Sequence, residues 1–176
     1  MAKANKANLS VLYEENDIQK RIAEVAKKLA NQFRAQNPLL LIVLKEGLFF
    51  AADLVRAMGI KQGQAFLSPT KDNHNYILIG ANEDDIARRD IIIVMGIIDT
   101  GKTAEKVLKF LKDKKSVSVT IATLVNKSNH SSENLPPIYT CFECPGEKTV
   151  VGFGLSFRKK FFEKPFLATI ENSAES

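Results

Sequence analysis

Apolar residues recur along this chain in two modes, clusters at helical spacing and short continuous runs, and the two modes alternate. Between Asn16 and Pro38, the positions Ile18, Ile22, Val25, Ala26, Leu29 and Phe33 fall on one helical face. That spacing predicts an amphipathic helix capped by Asn16 or Asp17 and stopped by Pro38. Leu39 to Leu44 is a continuous apolar run, the pattern of a strand buried on both faces. The turn Lys45-Glu46-Gly47 then leads into a second helix, LFFAADLVRAMG, closed by Gly59 as its C-cap. Gln64 to Leu67 and Tyr76 to Ile79 are short strands around a polar tip, SPTKDNHN, and Asn82 to Arg89 is a charged connection.

The second half repeats the alternation. Ile91 to Val94 is a β-branched run, followed by AEKVLKFLKD with Val107, Leu108 and Leu111 at helical spacing. Val117 to Val125 reads as a strand, then comes a loop holding Pro136 and Pro137, then a strand from Thr149 to Leu155. Strands alternating with helices predict an α/β fold with a mostly parallel sheet and right-handed crossovers. In such sheets ligands gather beyond the carboxyl ends of the strands, where Lys45, Asp99 and Lys127 all fall.

Composition narrows the possibilities. With 176 residues the chain is long enough for one well-filled core, and the expectation is a single domain over residues 1–176. No run approaches the length of a membrane span, and MAKANKANLS lacks the apolar centre of a secretion signal. Two cysteines make no disulfide framework, so a cytoplasmic location is expected. The net charge of +5 suits an anionic ligand. Its basic residues are dispersed, without the basic-aromatic pattern of a nucleic-acid binder.

The chemistry concentrates in DIIIVMGIIDTGKT, Asp90 to Thr103. A strand, a tight loop and a helix start in that order expose unpartnered helix N–H groups to an anion. Thr100 and Thr103 add hydroxyls, Gly101 admits close backbone approach, and Lys102 adds charge. The run therefore predicts a phosphate site. Gly96 to Thr103 also fits the P-loop pattern GxxxxGK[ST], a second owner for the same loop. Against it stand bulky Ile97 and Ile98, and VSVTIATLVNK, which ends in Asn126 and Lys127 and not in a Mg²⁺-binding aspartate.

Read as Ile97-Ile98-Asp99-Thr100-Gly101-Lys102-Thr103, the loop resembles that of type I phosphoribosyltransferases of the hypoxanthine-guanine kind, which grips a 5′-phosphate. The resemblance extends from about Leu12 to Ile170. VLKEGLFFAADLVRAM looks like the family's pyrophosphate loop and following helix, placing Lys45, Glu46 and Gly47 in that loop. ATLVNK looks like the segment whose lysine, here Lys127, meets the exocyclic oxygen of a 6-oxopurine. TVVGFGL looks like the purine-binding strand, with Thr149 and the backbone of Val150 at the base. The resemblance implies a mostly parallel sheet flanked by helices with a small hood, and transfer of phosphoribose from phosphoribosyl pyrophosphate to hypoxanthine or guanine with Mg²⁺. It implies Asp99 as general base near N7, Asp99 to Thr103 around the 5′-phosphate, and a homodimer or homotetramer.

Departures from the family pattern cluster at one ligand. The two ribose-binding acids are replaced by Met95 and Gly96, and Glu46 stands where the pyrophosphate loop carries a small residue. Thr149 replaces the stacking aromatic, Ser156 the metal-binding aspartate, and Phe162 the pyrophosphate-binding arginine. The Ser-Tyr pair of the family's mobile lid is missing from SPTKDNHNYILIG. These losses predict weak turnover, or a homologue that binds purine nucleoside monophosphates with little catalysis. They also predict that restoring acids at 95 and 96 strengthens phosphoribosyl pyrophosphate binding. Four minor features read as structural: Cys141-Phe-Glu-Cys144 as packing thiols, His74 and His130 as loop residues, Glu83-Asp84-Asp85 as a surface turn, and Arg158-Lys159-Lys160 as a solvated basic turn.

Overall fold

Residues 8–72, 75–127, 135–144 and 146–171 are described by a computed structural model. In chain order they form β1 (Asn8–Tyr13), α1 (Glu15–Phe33), β2 (Leu39–Val43), α2 (Leu48–Met58), β3 (Gly63–Pro69) and β4 (Tyr76–Ile79). There follow α3 (Glu83–Ile86), β5 (Asp90–Ile98), α4 (Lys102–Leu111), β6 (Ser118–Lys127), β7 (Ile138–Cys144), β8 (Val150–Val151) and β9 (Leu167–Glu171). His74 and His130 lie outside the described residues.

The continuous apolar runs lie side by side in one six-stranded sheet of order β4-β3-β2-β5-β6-β7. Every neighbouring pair is parallel except β3 with β4, which form an antiparallel hairpin. The runs are apolar at every position because both faces of the sheet are covered. On one face Leu40, Ile42, Ile92, Val94, Ala122 and Leu124 pack with Ile18, Ile22 and Leu29 of α1 and Phe50 and Leu54 of α2. On the other, Leu39, Leu41, Ile91, Ile93, Met95 and Ile121 pack with Ala104, Val107 and Leu111 of α4 and Ile86 of α3. Burying a side chain of this kind stabilises the fold by about 1.5–3 kcal/mol, so the sheet and its two helical layers carry the core.

A second, antiparallel sheet of order β1-β9-β8 forms the hood. Its sequences, NLSVLY and LATIE, are too short and mixed for a periodicity argument to register, and both strands escape the sequence reading. So does β7, where Thr140 and Glu143 interrupt the apolar pattern and the prolines just before it suggest a loop. The expected strand from Thr149 to Leu155 shortens to β8, because the chain turns at Gly152. There φ is +96° and a Cβ would lie 1.9 Å from the Phe166 carbonyl oxygen. The charged connection from Asn82 to Arg89 contains α3, held by a capping box in which Asn82 and Asp85 each accept the other's backbone N–H. No helix among the described residues is long and apolar enough to cross a membrane.

Candidate functional site

Strand order fixes where a ligand can sit. From β2 the chain leaves through α2 on one face and returns at β3; from β5 it leaves through α4 on the opposite face and returns at β6. The central pair β2–β5 is therefore where the winding reverses, and the loops after these strands diverge to leave a crevice. Those loops are Lys45-Glu46-Gly47 and Asp99-Thr100-Gly101. A cavity of about 980 Å³ opens there.

The α4 end of the cavity is where the sequence leads one to expect an anion cradle. Gly101 takes a left-handed conformation with φ +78°, which a side chain would resist, and its carbonyl accepts the Glu105 N–H at 3.0 Å. No side chain caps the helix, so the N–H groups of its first turn have no partner within it. Asp99, Thr100, Gly101 and Thr103 line the cavity, while Lys102 is exposed outside its wall. Gly96 to Ile98 belong to β5, which leaves only three residues between strand and helix. That is too short a loop to wrap a triphosphate in the P-loop manner.

The opposite end is built from β6 and β8. Lys127 ends β6, is 6% exposed, and holds Asp99 across the adjacent strand end, Nζ to Oδ1 3.3 Å. Thr149 and Val150 form the neighbouring wall. β8 is an edge strand bonded only to β9, and the bond there runs from Ile170 N–H to Thr149 O at 3.0 Å. This pairing leaves the Val150 N–H and carbonyl on the outer edge of the strand, where a planar ligand could meet them. Thr149, half-buried, offers that ligand no ring.

The third wall is the turn after β2, which begins with a cis peptide between Leu44 and Lys45. Glycines of two separate segments, Gly96 and Gly154, press on this turn, and a third, Gly47, closes it. A Cβ at Gly96 would lie 2.4 Å from Glu46 O, one at Gly154 3.1 Å from the same oxygen, and one at Gly47 2.7 Å from Val43 O. The Glu46 peptide thus occupies the space in front of Gly96. Glu46 lines the cavity, and desolvation by burial raises its carboxyl above the ordinary range.

Met95 and Gly96 consequently cannot simply regain acids, which corrects the expectation from sequence. Met95 is 3% exposed and packed in the core on the α4 side. Gly96 has a backbone carbonyl where its Cβ would be. The cavity is lined by four lysines, Lys45, Lys71, Lys106 and Lys127, against two carboxylates, Glu46 and Asp99. Lys71, from the β3–β4 hairpin, and Lys106, one turn into α4, were missed in the sequence. The spacing of Lys106 from Thr103 was the available signal, whereas Lys71 depends on the hairpin folding over the cavity. Among the described residues no group of three or more His, Cys, Asp or Glu is gathered to hold a metal ion.

Residues 9–158 match the family model described as "Phosphoribosyl transferase domain". The chain belongs to the phosphoribosyl transferase family. It is 31% identical to a hypoxanthine-guanine phosphoribosyltransferase of Streptococcus pneumoniae, over 92% of this chain and 98% of that one. It is 29% identical to a hypoxanthine-guanine-xanthine phosphoribosyltransferase of Tritrichomonas foetus, over 93% and 92%. Among solved structures, a hypoxanthine-guanine-xanthine phosphoribosyltransferase superposes with a TM-score of 0.82 at 26% identity, covering 98% of this chain and 100% of that one. A hypoxanthine phosphoribosyltransferase from Staphylococcus aureus shares the fold, with a TM-score of 0.83 at 24% identity. The fold is therefore that of the phosphoribosyl transferase family, with hypoxanthine-guanine phosphoribosyltransferases among its relatives.

Proposed function

We propose that this protein is a purine phosphoribosyltransferase of the hypoxanthine/guanine type in purine salvage, and that it turns over weakly. The observation that carries the reading is the Asp99–Lys127 pair at 3.3 Å beside the uncapped start of α4. In this arrangement Asp99 to Thr103 hold the 5′-phosphate through backbone N–H groups and the two threonine hydroxyls. Lys127 donates to the exocyclic oxygen of a 6-oxopurine, and the Val150 backbone meets the edge of the base. A purine nitrogen displaces pyrophosphate at C1 of the ribose, and Asp99 accepts the proton from N7.

Weak turnover follows from the turn after β2. Glu46 brings negative charge to the wall where pyrophosphate would rest, and repulsion at that range opposes the ligand. The family generally uses Mg²⁺ with phosphoribosyl pyrophosphate. Here Met95 is buried and apolar, Gly96 has no room for a side chain, and Ser156 stands in place of an acid. Among the described residues the donor set does not fit a protein-held Mg²⁺. This favours a second reading, a nucleotide-binding homologue with little catalysis, because the cradle and Lys127 need neither metal nor pyrophosphate.

The same reading places the protein in the cytoplasm as a single-domain chain over residues 1–176, assembled as a homodimer or homotetramer. Its partners are small molecules, and neither nucleic acid nor membrane is among them. Phosphoribosyl transfer to hypoxanthine and guanine, measured beside titrations with IMP, GMP and phosphoribosyl pyrophosphate, tests the activity and the site. The expected result is monophosphate binding with turnover below the usual enzyme range of about 1–10³ s⁻¹. Turnover inside that range overturns the weakness, and failure of IMP and GMP to bind overturns the site.

A further inference from the structure

Between the phosphate cradle and Lys127 the cavity must accommodate whatever joins a phosphate to a base, and its wall there is unusual. Met95, Ile97 and Leu155 are apolar, and Gly96 carries no side chain. Among the described residues the cavity is lined by two carboxylates, and one of them, Asp99, is paired with Lys127. Glu46 has no ion-pair partner among the described residues and lines the same cavity from the opposite loop.

Its backbone is not free to drift. The Gly47 N–H donates to Val43 O at 3.2 Å, and the Ala51 N–H donates to Gly47 O at 2.9 Å, tying the turn to β2 and α2. From the other side Gly96 admits the Glu46 carbonyl to a distance that no side chain would allow, and Gly154 admits it to one that is tighter than most side chains meet. A carboxylate carried on a turn held this firmly, beside the strand that lacks an acid, is a strong acceptor for paired hydroxyl donors.

We propose that Glu46 is the specificity-determining residue for the sugar, accepting hydrogen bonds from the ribose hydroxyls of a nucleoside 5′-monophosphate. The acceptor lost from β5 is thereby supplied by the turn after β2. The proposal rests on the reading of the cradle as a 5′-phosphate site. It also accounts for one charge acting in two ways, since a carboxylate that attracts hydroxyls repels pyrophosphate.

Competition between ribose 5-phosphate and 2-deoxyribose 5-phosphate, and between GMP and its 2′-deoxy form, tests the assignment. A hydrogen bond to a charged group sets the expected preference for the ribose forms at roughly tenfold or more. In Glu46→Ala the preference should fall to within about twofold, and Glu46→Gln should keep part of it through its remaining carbonyl. Both variants should bind inorganic pyrophosphate more tightly than wild type, while inorganic phosphate binding stays unchanged. Melting temperatures near wild type establish that both variants are folded. Equal wild-type binding of ribose and deoxyribose forms, or a preference that survives Glu46→Ala, overturns the role of Glu46 while leaving the cradle intact. Failure of GMP to displace phosphate from the protein overturns the cradle reading itself.

Discussion

Replacing Gly96 by alanine adds one carbon near the C-terminal end of β5, and the structure sets how much it must displace. The new Cβ would stand 2.4 Å from Glu46 O, 2.7 Å from Glu46 C and 2.9 Å from Leu155 Cδ2. An ordinary carbon–oxygen contact begins at about 3.3 Å, so the turn must retreat by roughly 0.9 Å. Leu155 can rotate, but the Glu46 peptide is tied to β2 and α2, and β5 is flanked on both sides by paired strands. Overpacking typically costs about 1–3 kcal/mol, and backbone meeting backbone belongs in the upper half, about 2–3 kcal/mol. For a chain of this length each kcal/mol moves the melting temperature by about 2–4 °C, giving a fall of about 4–12 °C. Gly59→Ala is the control: nothing lies within 4 Å of its Cβ, and only the φ of +57° opposes it. That strain costs about 1–2 kcal/mol. Thermal unfolding of the two variants should therefore rank Gly96→Ala as the more damaging. Gly96→Asp should melt at least as low and should not strengthen phosphoribosyl pyrophosphate binding. A Gly96→Ala protein melting within about 2 °C of wild type would refute the packing argument.

Other consequences are as open to measurement. Lys127→Ala should abolish the preference for GMP over AMP, expected at roughly tenfold because a donor facing the AMP amino group costs about 1–3 kcal/mol; an unchanged ratio in competition assays removes Lys127 from base recognition. Gly101→Val should weaken phosphate and nucleotide binding together, since φ +78° excludes a β-branched residue; calorimetric titration checks it, and equal affinities would count against the cradle. Burial pushes the Cys141 thiol up to about 12 from an ordinary 9.0 and raises Cys144 as well, so native protein at pH 8 should resist alkylation that denatured protein undergoes at once. Because the Cys141 shift is upward, the unfolded chain loses its proton first, and stability should fall as pH rises from about 9 toward 12. Cys141→Ala should soften that fall, and identical alkaline melting curves would show the thiol to be uninvolved.

How far this was legible in the sequence depended on whether local or distant atoms decide the outcome. The central strands and α1, α2 and α4 were readable because each is dictated by its own spacing of apolar residues, and Tyr76 to Ile79 appears as β4 at the expected bounds. β1 and β9 were not, because each is a short half-buried strand whose partner lies at the other end of the chain. The loop and helix start of the proposed cradle were readable because Thr100, Gly101 and Thr103 lie within four residues of one another at the start of α4. The loss of acids at 95 and 96 was visible as residue types, but the reason it cannot be simply reversed was not. That reason is the approach of Glu46, Gly96 and Gly154, three segments far apart in the chain. Lys71 likewise becomes part of the site only because a hairpin folds over it.

The ion pair between Lys127 and Asp99 has a thermodynamic consequence of its own. A lysine loses as much as about 1.5–2 kcal/mol of rotational freedom when its chain is fixed. Here that loss falls on folding, because the Lys127 side chain is already 8% exposed and held at 3.3 Å by its neighbour. On the proposed reading, a purine arriving at the strand end would meet a donor whose position is preorganised, so little entropy would remain to be lost on its side of the contact. Affinity at the base should then respond mainly to the match of hydrogen-bonding groups and only slightly to temperature-driven disorder in the pocket. A site stripped of its stacking ring would retain its choice of purine in this way, even while holding every purine loosely.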